Sequence, residues 1–209
     1  MQFSIMSRRN FACSLGALPF FAGAPALPSA AATYVSDAPG EIFVSRIDEE
    51  QSMLAPKAEI QDVEVDPDYP ENTILVYQKE LVIRHIRTRG LARQYPVGLG
   101  RAGLEFEGEA VVARKAVWPS WRPTDEMIAR SPEHYARYSD GVPGGPGNPL
   151  GSRALYLYRN GADTFYRIHG TDSPETVGTY VSNGCVRMIN AHIEALYDLV
   201  DIGTVVRVV

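Results

Sequence analysis

Thr164-Phe165-Tyr166-Arg167-Ile168-His169-Gly170-Thr171, followed by Ser182-Asn183-Gly184-Cys185-Val186-Arg187-Met188, is where the fold and the chemistry of this chain are written together. The first segment alternates like a strand, with Tyr166 and Ile168 on one face and Phe165, Arg167 and His169 on the other. His169 therefore stands at a strand end, and Cys185 lies sixteen residues beyond it. A thiol is mostly protonated at neutral pH and needs a base or a positive field beside it to act as a nucleophile. His169 is the supplier. Gly170 and Gly184 let backbone approach closely, so that amides of Asn183, Gly184 or Cys185 can converge on a developing oxyanion. Arg187, two residues past Cys185, faces the same way in an extended segment, where it can hold a substrate carboxylate or favour the thiolate. Ser182 is expected to shape this loop or to contact substrate.

The other cysteine, Cys13, belongs to a leader. Ser7-Arg8-Arg9-Asn10-Phe11 is a twin-arginine pattern, followed by an apolar run from Phe11 to Phe21 and a small-residue stretch ending Ser29-Ala30-Ala31-Ala32 that suits a signal peptidase. Gly16, Pro19, Gly23, Pro25 and Pro28 argue against a membrane-spanning anchor. Residues 1–32 are thus expected to be a signal peptide engaging the twin-arginine export machinery, with the chain delivered to the periplasm or cell envelope. Cleavage leaves Cys185 alone in an oxidising compartment, with no internal disulfide partner. It leaves 177 of the 209 residues, enough for one domain with an N-terminal arm. The net charge of −5 becomes −7 once the two leader arginines are gone, which argues against a nucleic-acid partner.

Residues 33–72 are rich in proline and acids and read as an arm or spacer. From Thr73 onward come short runs rich in branched residues: 73–78, 80–86, 93–98, 109–118, 153–158, 164–168 and 203–209. Many short strands at close spacing predict an all-β sandwich or barrel. One helix is expected near the end. Ile193, Leu196, Tyr197 and Val200 recur on one helical face after Asn190 as a cap, with Glu194 in the first turn. Residues 119–149 carry little β pattern, with a short helix expected at 124–129 and then Gly141-Val-Pro-Gly-Gly-Pro-Gly-Asn-Pro149. Such an insertion is either an active-site lid or a solvated loop whose tryptophans, Trp118 and Trp121, sit in the core.

Two motifs mislead. Gly98-Leu99-Gly100-Arg101-Ala102-Gly103 matches the dinucleotide fingerprint in letters, but that motif requires a helix immediately afterwards, and here a valine-rich strand follows. It reads as a glycine-rich turn, with no nucleotide cofactor. Cys185 could share a metal with His85, His134, His169 or His192, yet no pair has the close spacing of zinc ligands. Neither a metal nor another cofactor is expected.

At His169, Gly170, Ser182, Gly184, Cys185 and Arg187 the chain resembles the L,D-transpeptidases of bacterial peptidoglycan that carry the YkuD domain. Their signature is a histidine-glycine pair, a spacer, then Ser/Thr-x-Gly-Cys-x-Arg. The resemblance runs from roughly residue 73 to the C-terminus, through Tyr95-Pro-Val-Gly-Leu-Gly100 and Asn148-Pro-Leu-Gly151, and departs at Asn183, where many members have histidine. It implies a mainly β, YkuD-type sandwich or barrel over 73–209, with the insertion covering substrate and the helix packing after the catalytic loop. It implies that Cys185 attacks an amide of a peptidoglycan stem peptide, that His169 is the base, and that the Gly170 carbonyl orients it. The thioester would pass to an acceptor amine, joining two diamino acids, or to a lipoprotein or other wall-attached protein. An L,D-carboxypeptidase or peptidoglycan hydrolase using the same Cys-His site is the alternative. A non-catalytic wall-binding domain is a third reading, opposed by the presence of both residues.

Overall fold

A computed structural model of the chain describes residues 32–35, 42–45, 59–101, 106–182 and 184–209. The leader up to residue 31, residues 102–105 of the glycine-rich turn and Asn183 lie outside the described residues. In chain order the strands are β1 (Ala32–Val35), β2 (Ile42–Ser45), β3 (Gln61–Glu64), β4 (Ile74–Tyr77), β5 (Val82–Thr88), β6 (Leu91–Pro96), β7 (Leu99–Gly100), β8 (Glu109–Val117), β9 (Arg153–Arg159), β10 (Ala162–His169), β11 (Tyr180–Ser182), β12 (Val186–Arg187) and β13 (Val205–Val208). The fold is mainly β. Among the described residues nine strands form one mixed sheet in the order β12-β10-β9-β8-β13-β4-β5-β6-β3, while β7 pairs with β11 and β1 with β2.

Local chemistry explains the register. Asn160 and Gly161 both have positive φ, 52° and 78°, which is the two-residue turn whose twist matches flanking antiparallel strands, so β9 folds directly back as β10. β9 is buried at its first five positions, as suits a strand covered on both faces in mid-sheet. β3 falls within the segment read from sequence as an arm; it pairs with β6, and Val63, Val65 and Tyr69 pack on Leu75, Ile86 and Ala92.

The main core gathers side chains from both halves of the sheet. Ile74, Val76, Ile83 and Tyr95 meet Leu155, Leu157, Ile168 and Val186 in one cluster, closed by Ile193 and Leu196. Each such aliphatic side chain is worth roughly 2 kcal/mol on burial. The sheet therefore curls. Its halves are joined where Gly98, just past β6, exchanges two main-chain hydrogen bonds of 2.8 Å with Arg187 in β12, at the far edge.

The helices are α1 (Asp125–Arg130), α2 (Pro132–Tyr135) and α3 (Asn190–Tyr197). Thr124 caps α1, its hydroxyl accepting from the Met127 amide at 3.2 Å. In α3 the sequence expectation needs correction. Asn190 is the first helical residue, Ile189 holds the cap position without a side-chain bond, and Glu194 lies past the first turn. The Asn190 side chain is used elsewhere, as described below.

Residues 118–152 form an excursion between Val117 and Arg153, which are paired at the ends of β8 and β9. It is pinned at its neck by the Trp121–Val142 bridge and by buried Asn148, which donates to the Val142 and Pro143 carbonyls and accepts from Leu150. Trp118 is buried; Trp121 is half-buried against Tyr135 and Tyr138. Among the described residues no helix is long and apolar enough to cross a membrane.

Candidate active site

β10 and β12 run parallel, with Ile168 beside Val186 and His169 beside Arg187. Ile168 and Val186 both point into the main core. Because side chains alternate along a strand, Arg167, His169 and Arg187 share the opposite face, and carrying the register back one step sets Cys185 beside Arg167. Two cross-strand rows follow. One runs Arg114, Tyr156, Arg167, Cys185; the other runs Ala116, Ala154, His169, Arg187. The Arg114 and Arg167 guanidinium groups lie over the Tyr156 ring, 3.7 and 4.4 Å from its centroid. The two alanines leave the floor beside His169 low.

His169 is buried, and its Nδ1 lies 2.5 Å from the Gly170 carbonyl oxygen. A carbonyl only accepts, so Nδ1 carries the proton and Nε2 is the free base. The Leu150 carbonyl, at the end of the excursion, also reaches the ring. Burial first, and then the Arg187 guanidinium, hold the imidazole down to about 3, against the pull of the two carbonyls. Cys185 is half-buried, and its Sγ donates to the Phe165 carbonyl at 3.7 Å. Burial pushes the thiol above its ordinary value, opposed by the Arg167 main-chain N–H and by the Arg167 and Arg187 charges. The resting pair is thus neutral thiol and neutral imidazole.

The loop before Cys185 is held from within. Ser182 is buried; its Oγ donates to the Cys185 carbonyl at 2.7 Å and accepts from the Gly184 amide at 3.2 Å. The Gly184 amide is therefore engaged with Ser182. Gly184 has φ 118°, which a side chain would strain. Arg187 Nη1 donates to Thr176 Oγ1 at 3.0 Å. Of the residues singled out from sequence, His169, Gly170, Gly184, Cys185 and Arg187 come together with Ser182 behind them, while Asn183 is outside the described residues. Among those described, no three His, Cys, Asp or Glu side chains gather as metal ligands. The Gly98 segment enters β7, whose Leu99 and Gly100 pair with β11.

Sequence reasoning missed Asn190. Its Oδ1 accepts from the Ser152 and Thr171 amides, each at 3.1 Å, and so joins the strand bearing Arg153 to the loop bearing Gly170. A Cβ on Gly170 would lie 2.1 Å from that oxygen. Gly170 is glycine for want of space. Sequence also treated Thr164–Ile168 as a regular strand, whereas β10 bulges between Asp163 and Arg167, and Phe165 has φ 61° and is 69% exposed.

Residues 71–208 match the YkuD family, the L,D-transpeptidase catalytic domain. The chain is 37% identical over 117 residues to "Probable L,D-transpeptidase ErfK/SrfK" of Escherichia coli K12, the match covering 55% of this chain and 36% of that protein. It is 38% identical over 114 residues to "Probable L,D-transpeptidase YbiS" of the same organism, covering 54% and 36%. The chain thus spans little more than a third of the length of these curated relatives. A solved structure from Brucella melitensis, titled "Probable carnitine operon oxidoreductase caia", superposes with a TM-score of 0.52 at 47% identity, covering 74% of this chain and 95% of that one. With the family match spanning well over half its residues, the chain belongs to the YkuD family of L,D-transpeptidase catalytic domains.

Proposed function

We propose that this protein is an L,D-transpeptidase that acts on peptidoglycan stem peptides through an acyl-enzyme on Cys185. The observation that carries this reading is the hydrogen bond from His169 Nδ1 to the Gly170 carbonyl, on a ladder that sets His169, Cys185 and Arg187 on one face. That bond fixes the tautomer in which Nε2 accepts a proton. Because the resting thiol is neutral, proton transfer accompanies attack: the Sγ–H proton passes to His169 Nε2 as sulfur bonds to the carbonyl carbon. The carbonyl becomes an oxyanion, for which the Cys185 and Asn183 amides are the donors, since that of Gly184 is engaged. Each such donor contributes about 3 kcal/mol in comparable acyl transfers. Collapse breaks the C–N bond, the amine leaves with the proton held by His169, and a thioester remains. An acceptor amine then attacks and gives its proton to His169, the C–S bond breaks, and His169 returns that proton to the leaving sulfur, restoring the thiol. The insertion, whose Leu150 end touches His169, is the candidate cover for the substrate.

We further infer that residues 1–32 direct the chain by the twin-arginine route to the periplasm, where this substrate lies. Mass spectrometry of the purified protein with disaccharide-tetrapeptide fragments, against Cys185→Ala, tests the reading. Dimers joined through two diamino acids are expected. Tripeptide alone means hydrolysis of the same thioester, and turnover retained in Cys185→Ala would falsify the assignment.

A further inference from the structure

The bulge in β10 is built by two side chains bonding to their own backbone. Asp163 Oδ1 accepts from the Phe165 amide at 2.8 Å, and Thr164 Oγ1 accepts from the Tyr166 amide at 3.2 Å while donating to the Leu157 carbonyl. Short polar side chains compete in this way with the sheet ladder. Between them Phe165 is driven into the left-handed region, which a bulky residue enters only under constraint. The consequence falls on Cys185. With the chain turned at Phe165, its carbonyl faces the thiol, 3.7 Å from Sγ, and the Arg167 main-chain N–H is directed at the same sulfur. Asp163 is used twice, because both its oxygens also clamp the Arg167 guanidinium, at 2.7 and 2.8 Å, over the face of Tyr156.

We propose that this bulge is the seat of the nucleophile, with Asp163, Phe165 and Arg167 as positioning residues: the Phe165 carbonyl holds the resting thiol in place until substrate binds, and Arg167 fixes a donor and a positive charge beside the sulfur. The proposal rests on Cys185 being the nucleophile. It adds a holding device from β10 to the one that Ser182 and Gly184 make in the loop before the cysteine. Strain at such a place belongs with function when the surroundings over-determine it, and here three side-chain bonds do so. The charged groups that bear on the sulfur are Arg167 and Asp163 from β10 and Arg187 from β12, with neutral His169 beside them.

The test is the pH dependence of Cys185 alkylation by iodoacetamide in the full chain, read by mass spectrometry, beside kcat and KM for acyl transfer. In Arg167→Gln the titration midpoint should rise by about one unit, the shift expected when one nearby opposite charge is lost. Arg167→Lys should recover part of that shift, and kcat should fall more than KM rises. Because Arg167→Gln could unfold the strand, Phe165 supplies an independent pair. Phe165→Gly keeps the left-handed turn and should leave kcat close to the parent value. Phe165→Val, β-branched and opposed to positive φ, disturbs both the carbonyl that favours the thiol and the seat of the Arg167 donor that favours the thiolate, and should lower kcat at least tenfold. An unmoved midpoint in folded Arg167→Gln, a kcat in folded Phe165→Val equal to that of Phe165→Gly, or a parent thiol that never alkylates overturns the proposal. Failure of the functional reading looks different: Cys185 titrates with these shifts, yet no peptide donor is turned over.

Discussion

Two buried histidines sit on strands in different halves of this sheet, and they have much in common. His85 in β5 is held down to about 4 by burial and then by Arg87 and Arg93; His169 in β10 is held down to about 3 by burial and then by Arg187. Each has one ring nitrogen bonded nearby, His85 Nε2 to Asn72 Oδ1 at 3.0 Å and His169 Nδ1 to the Gly170 carbonyl. Burial and weakened basicity therefore do not mark a working base. What differs is the remaining nitrogen. His85 Nδ1 is enclosed with no partner among the described residues, whereas His169 stands on a ladder that also brings a thiol and arginines to one face. A strongly perturbed group points to a site only with chemistry converging on it.

The sharpest way to break this contrast is to exchange each histidine for glutamine. His169→Gln should lower the rate of acyl transfer by about 10²- to 10⁴-fold, the range a positioned base contributes. His85→Gln should leave the rate within about twofold while altering stability. Comparable losses in steady-state kinetics of the two folded variants would erase the distinction.

Their shared burial has a consequence in acid. Both histidines, and His192, held down to about 4 by burial, have folded values below their ordinary 6.5. The unfolded chain therefore takes up protons first as pH falls. Stability is full above about pH 6.5 and declines as pH drops towards 4, because the unfolded state binds more protons throughout that window. For His85 the loss reaches about 3 kcal/mol between pH 7 and 4. Denaturant unfolding at the two pH values should show a shallower decline in His85→Gln by roughly that amount. An unchanged slope would mean that His85 is solvated rather than enclosed.

How much of this could be seen in the residues alone differs between the same two regions. At the β10–β12 ladder, His169, Cys185 and Arg187 were legible because strand parity and motif spacing are local, and Ile168 and Val186 between them are apolar as a core face requires. The bulge was not legible: Phe165 is a good strand former, and only the bonds of Asp163 and Thr164 to the next amides turn it out. Asn190 was misread for a related reason. An asparagine just before an amphipathic run looks like a helix cap, and nothing local announces that Ser152 and Thr171 will meet its oxygen instead. At the other end of the sheet, β3 was hidden among acids because an edge strand needs little apolar patterning.

Asn190 sharpens the site half of the comparison at smaller cost. Asn190→Ala leaves the Ser152 and Thr171 amides without their acceptor, a penalty of about 2 kcal/mol, or roughly 4–8 °C in Tm. Because the same oxygen fixes the Gly170 loop, the rate should fall beyond what the lost stability explains, and Asn190→Asp, which keeps the acceptor, should recover most of both. Thermal melts and kcat measured together separate a strut of the active site from a generic core contact.

The smallest effect probes the excursion against the site through two glycines. Gly147 has φ 82° and Gly151 has φ 62°, so both occupy the left-handed region and an alanine at either meets the same backbone penalty of about 1 kcal/mol. Their surroundings are opposite. A Cβ on Gly147 meets nothing within 4 Å, while one on Gly151 would lie 2.2 Å from Asn190 Oδ1 and 2.3 Å from the Thr171 amide nitrogen. Gly147→Ala should therefore cost only the backbone term and leave acyl transfer unchanged, while Gly151→Ala should displace Asn190 and carry the Gly170 carbonyl with it. If Gly147→Ala slows turnover beyond what the lowered melt explains, the tip of the excursion touches substrate and belongs to the site, which would make it a lid; if it lowers the melt alone, only the Leu150 end of the insertion serves the chemistry.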